Sequence, residues 1–204
     1  MQDGISEIIE KKSKFIGYAH YAETEEEMQH FVASIRKMNS DANHNVFAYR
    51  LSDKTERQSD DGEPSGTAGI PILELLRGES ITNTAIVVTR YFGGTLLGTG
   101  GLVRAYGKAA KNALYDAGVI EKIQCTRFSL CCDYHISGKV KHSILKDEHI
   151  IHDTQYSENV TYIVDVENAL AENFVSSMTS VTNAQAQITQ INFIYKNIVV
   201  SIDN

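Results

Sequence analysis

Glycine and proline are so unevenly placed in this chain of 204 residues that they divide it before any other feature does. Ten of the 14 glycines and both prolines, Pro64 and Pro71, fall between Gly62 and Gly107, and neither type occurs after Gly138. Glycine supplies left-handed backbone and close approach, whereas proline fixes φ. Irregular backbone is therefore concentrated centrally, and the last third reads as regular elements joined by short polar turns. Its expected order is strand 125–132, helix 134–147, strands 150–156 and 159–166, helix 167–180 and strand region 185–200. Val160, Tyr162, Val164 and Val166 keep period 2, while Leu170, Phe174, Val175 and Met178 keep helical spacing. That βαββαβ order points to a split-βαβ, ferredoxin-like sandwich. A boundary near Lys122–Gln124, after a helix that Gly118 stops, gives domains 1–122 and 123–204.

The first domain mixes both periods. Residues 5–21 read as a strand pair and 24–38 as a helix, with Thr24 and Glu27 as a capping box. Met28, Phe31, Val32, Ile35 and Met38 supply its buried stripe. A strand over 43–51 leads into a long polar loop, Ser52 to Gly66, then a short helix over Ile70–Arg77. The β-branched run Thr84–Tyr91 suits a buried strand, and a Gly-rich loop enters the helix Leu102–Ala117.

Charge narrows the choice of partner. The net charge of −7 argues against a chain coated by nucleic acid over most of its surface. Yet no acid lies between Glu79 and Asp116, where Arg90, Arg104, Lys108 and Lys111 stand, so an anionic partner is expected there. No apolar run approaches the roughly 18 residues of a membrane span. The start Met1-Gln2-Asp3-Gly4 does not read as a signal peptide. Cys125, Cys131 and Cys132 have no zinc spacing, so a cytoplasmic location without membrane contact is expected.

Two segments carry candidate chemistry. In the first, Gly93, Gly94, Gly98, Gly100 and Gly101 lead from a strand into a helix, where free N–H groups form an anion site. Arg104, Lys108, Lys111 and Tyr115 then share one helix face. A basic stripe of this kind suits phosphate contact better than base readout. The loop lacks the Gly-Lys-Ser/Thr of a Walker A motif, and Val103 breaks a dinucleotide fingerprint. In the second segment, Asp60, Asp61 and Glu63 are candidate ligands, with Ser65 and Thr67 as phosphate contacts. Ser65 as a nucleophile would need His44 or His20 as its base. His135, His142, His149 and His152 show no metal-binding pattern, so neither a metal nor a cofactor is expected.

Taken together, Lys11–Ile16, Ala42–Arg50, Asp60–Pro71, Val87–Gly94 and Leu97–Tyr106 resemble the Impact/YigZ family. The resemblance implies an α+β chain. Its N-terminal α/β sandwich would have the left-handed βαβ crossover of a ribosomal small-subunit protein and of elongation factor G. Its second, ferredoxin-like domain would be similar to the last domain of that factor. It also implies contact with RNA, the ribosome or a translation-associated protein. Eukaryotic members restrain an amino-acid-starvation kinase and carry a further N-terminal domain. Some relatives have been labelled proline dipeptidases, but no metal-binding set of carboxylates and histidines supports that here. The expected function is a non-enzymatic regulator or accessory protein of translation, acting through Arg90, the Gly-rich loop, Arg104, Lys108 and Lys111. The alternative is a hydrolase acting on a small phosphorylated or peptide substrate between the Asp60–Gly69 and Gly93–Gly101 loops. Oligomeric state is left open.

Overall fold

The computed structural model describes residues 3–200, so the outermost positions of both expected domains lie outside the described residues. The elements run β1 (Gly4–Glu10), β2 (Ser13–Tyr21), α1 (Glu25–Met38), β3 (His44–Ser52), β4 (Thr55–Ser59), α2 (Gly69–Gly78), β5 (Thr84–Tyr91) and α3 (Thr99–Ala117). Then follow β6 (Val119–Cys132), α4 (Tyr134–Lys146), β7 (Ile150–Tyr156), β8 (Val160–Glu167), α5 (Ala171–Val181) and β9 (Gln187–Val200). Two compact units result, the first reaching Val119 and the second spanning Ile120–Val199. The division falls inside the continuous strand β6, ahead of Lys122–Gln124. No described helix is long and apolar enough to cross a membrane.

The first unit is a five-stranded sheet in the order β1-β2-β5-β3-β4 with antiparallel neighbours. Helices cover both faces. Met28, Val32 and Ile35 of α1 pack with Tyr49, Ala85 and Val87. On the other face, Ile72 and Leu76 of α2 and Leu102, Tyr106 and Ala109 of α3 pack with Phe15, Val46, Ala48, Ile86 and Val88. Central strand β5 is thus buried on both sides, so it reads TAIVVTRY instead of alternating. The α1 capping box forms, with Glu27 N–H donating to Thr24 Oγ1 at 3.2 Å. Met38, expected in the buried stripe, is exposed in the helix's last turn.

Part of the expected Ser52–Gly66 loop is strand. Thr55–Ser59 pairs with β3 as an edge strand, and its TERQS sequence hides it because polar chains suit both faces of an edge. Ion pairs finish that edge, Arg57 bonding Glu25 at 2.8 Å and Arg77 bonding Glu56. At the opposite edge, Gly4 and Gly17 let α3 lie directly on β1 and β2. A Cβ at either position would run into the Ala113 or Ala109 carbonyl.

The second unit has the sheet order β7-β8-β6-β9, the arrangement of a split-βαβ sandwich. Val140 and Ile144 of α4 and Phe174 and Met178 of α5 cover Phe128, Leu130, Tyr162 and Val164. A single 3-10 turn, Asn168–Leu170, precedes α5, so this helix begins later than expected. Cys132 is buried in this core while adjacent Cys131 is half-buried on the other face.

Candidate binding site

Arg90 sits near the end of β5, between Phe15 on β2 and His44 on β3 in cross-strand register. That row directs it onto the face covered by α3, where it is 5% exposed. Its guanidinium lies 5.4 Å from the ring centres of both Phe15 and Phe92. Arg90 Nη1 donates to Glu63 Oε1 at 2.6 Å, and the Tyr106 hydroxyl donates to the same oxygen at 2.7 Å. Burial, then the bond to Glu63, pushes the Tyr106 phenol well above its ordinary range, keeping it a donor. His44 completes the cluster, with Nε2 at 3.9 Å from Glu63 Oε1 and Nδ1 donating to the Asp61 carbonyl at 2.8 Å.

The Asp60–Gly69 loop is built to hold Glu63 in that place. Asp60 accepts from the amides of Gly66, Ala68 and Gly69 at 2.8–3.1 Å, which caps α2 where Ala68 brings no side-chain cap. Asp61 accepts from the Asn45 amide at 2.7 Å and from Arg36 at 3.0 Å. Thr67 Oγ1 donates to the Pro64 carbonyl at 2.6 Å. Of the expected loop ligands, therefore, Asp60, Asp61 and Thr67 serve the loop itself. Ser65 is exposed, and only Glu63 and His44 reach a cavity. No metal-holding group of His, Cys, Asp and Glu occurs among the described residues.

That cavity, about 460 Å³, lies between the two loops. Asn43, His44, Glu63 and Arg90 line it with Phe92, Leu96, Leu97 and the start of α3 at Gly98–Thr99. Gly98, at φ +75°, caps α3 without a side chain, so among the described residues the first-turn amides receive no side-chain cap. The Gly93 amide donates to Ser13 Oγ at 3.2 Å. A Cβ there would overlap the Lys12 carbonyl, so it lets the β1–β2 turn close against the loop. Gly94, at φ +82°, turns the chain, while Gly100 and Gly101 lie in the first turn of α3.

The cations expected to act together separate into two places. Arg90 is buried against Glu63 and is no part of an exposed face. Arg104 and Lys108 are exposed and line a hollow of about 220 Å³ with Lys11, Glu10 and Leu97. Lys111, one turn on, lies 4.9 Å over the Tyr115 ring. Nothing in the helical spacing of Tyr106 signals its bond to Glu63. Only the common position of Glu63, Arg90 and Tyr106 within the family-like motifs could have joined them.

Those motifs identify the chain's relatives. Residues 11–114 match the Impact N-terminal domain. The chain belongs to the IMPACT family. Residues 130–185 of this IMPACT chain match a domain of unknown function, DUF1949. The IMPACT family member YvyE of Bacillus subtilis is 39% identical over 189 residues, spanning 92% of this chain and 87% of its own. The IMPACT family member YigZ of Escherichia coli is 42% identical over 129 residues, 61% of this chain and 63% of its own. A crystal structure described as that of a hypothetical protein aligns with a TM-score of 0.56 at 32% identity. It covers 93% of this chain and 94% of the other. The IMPACT match on 11–114 contains the cavity, the Arg90–Glu63 pair and the Arg104–Lys108 face.

Proposed function

We propose that this IMPACT family member is a non-enzymatic accessory or regulatory protein of translation that binds RNA on the ribosome. The observation that carries this reading is the exposed pair Arg104 and Lys108, set beside Lys11 on a helix with no acid before Asp116. Neither cation is joined to a carboxylate among the described residues. Exposed cations at i and i+4 suit the regular spacing of backbone phosphates. Glu10 borders the same hollow and limits how closely a phosphate approaches Lys11.

The test is sedimentation with ribosomes, and filter binding to RNA, across salt. Arg104→Glu with Lys108→Glu should abolish binding without changing the melting temperature, because both side chains face solvent. Single neutral substitutions should lower the salt slope by ~1 each. Equal binding by wild type and double variant at every salt concentration would remove this face from consideration.

The cavity supports a second reading, the hydrolase between the two loops. It would rest on His44 and Glu63, since Asp60 and Asp61 are committed to backbone amides and Arg36. Turnover of p-nitrophenyl phosphate that His44→Ala abolishes would favour it.

A further inference from the structure

We propose that the cavity between the Asp60–Gly69 and Gly93–Gly101 loops binds one nucleoside monophosphate unit, free or as an unstacked nucleotide of an RNA strand. Three features of its wall call for three different parts of such a ligand. The first is the start of α3, a helix of 19 residues whose N-cap Gly98 offers no side chain. Its first-turn amides and the positive end of the helix dipole favour an anion, and Thr99 brings that terminus to the cavity wall.

The second feature is a pair of acceptors on the floor. Glu63 is 8% exposed and already takes Arg90 and Tyr106 on Oε1, while Oε2 accepts from no described residue. His44, with Nδ1 donating to Asp61, presents Nε2 as a second acceptor in its neutral form. Acceptors on the wall of a largely apolar cavity favour a ligand that brings hydroxyl or amine donors over one that brings none. Inorganic phosphate brings only its P–OH hydrogens to meet them, and an apolar molecule would leave them unsatisfied. Ribose hydroxyls and base amines provide such donors, and a carboxylate is a known partner for a ribose hydroxyl.

The third feature is flat. Phe92 rests on the Arg90 guanidinium and is 43% exposed, so it offers a ring face beside the cavity. Base–aromatic stacking contributes ~1–3 kcal/mol per base and tolerates any base. The volume of about 460 Å³ falls within the range of small-ligand pockets. Phosphate at α3, donors on Glu63 and His44, and a base on Phe92 together describe a nucleotide. The cationic Arg104–Lys108 face is a separate surface, and this inference does not rest on it.

The experiment is calorimetric titration of the full chain with AMP, GMP, CMP and UMP, alongside their nucleosides and inorganic phosphate. At least one monophosphate should bind, with its nucleoside and inorganic phosphate each at least tenfold weaker. Phe92→Ala and His44→Ala should each weaken it tenfold or more. A short single-stranded RNA separates the two sources. If only the RNA binds, and binding falls in Phe92→Ala and His44→Ala, the nucleotide arrives within a strand. Absence of both free-nucleotide and variant-sensitive RNA binding would overturn the proposal. Binding of inorganic phosphate as tight as that of the nucleotides, or indifference to both cavity variants, would overturn it equally.

Discussion

Glu63 and Arg90 form an ion pair with side chains 4% and 6% exposed, and such a pair is a weak source of net stability. Removing both charges from water costs about as much as their attraction returns. Its consequence is conditional: each charge is tolerable only while the other is present. Arg90→Ala should therefore cost ~3–5 kcal/mol, because it strands a buried carboxylate. Tyr106→Phe deletes one hydrogen bond to that carboxylate and should cost ~1–2 kcal/mol. Arg90→Met combined with Glu63→Leu should be milder than Arg90→Ala alone. Urea unfolding of the variants checks the order, and equal costs for Arg90→Ala and the double change would show the charges act independently.

At the scale of elements, the two units rely on different local devices. In the first, α2 gets its N-terminal cap from Asp60, eight residues before Ala68, so loop and helix are stable only together. Asp60→Ala removes three amide contacts and should cost ~2 kcal/mol. It should also expose the Gly62–Gly69 loop to proteolysis, which limited digestion would reveal. In the second unit, His149 lies edge-on to buried Phe174 at 5.2 Å. Burial holds its pKa below the ordinary 6.5, outweighing the opposing charges of Asp147 and Glu167. The unfolded chain then takes up the proton first as pH falls. Its contribution to stability is thus present above about pH 6.5 and is lost as pH drops through the lower folded value. His149→Gln should flatten the decline in melting temperature between pH 7 and 5. An unchanged slope would assign that decline to other groups.

For the molecule as a whole, the cores divide cleanly. No buried residue of the two clusters around the five-stranded sheet belongs to the cluster around the four-stranded one. A chain of roughly 120 residues can bury enough surface to fold alone. Residues 1–121 should therefore unfold in one cooperative transition, observable by circular dichroism in urea. A broad, non-cooperative loss of signal would show that this unit needs residues beyond 121.

The order and type of nearly every element were legible in the sequence, because burial on one face imposes a period of 2 or about 3.6 on the residues that meet it. The capping box of α1 and the positive-φ stop at Gly118 were legible for the same local reason. Strand β4 was not, since a polar edge strand carries no hydrophobic period and becomes a strand only by pairing with β3. The sequence also put Arg90 in one group with Arg104 and Lys108. Linear charge density cannot register that Glu63, 27 residues away, closes on Arg90 across the sheet face. Local pattern decides which way a side chain points along its own element. What it meets there depends on strand register and loop closure, and these long-range contacts made Arg90, Glu63, His44 and Tyr106 one site.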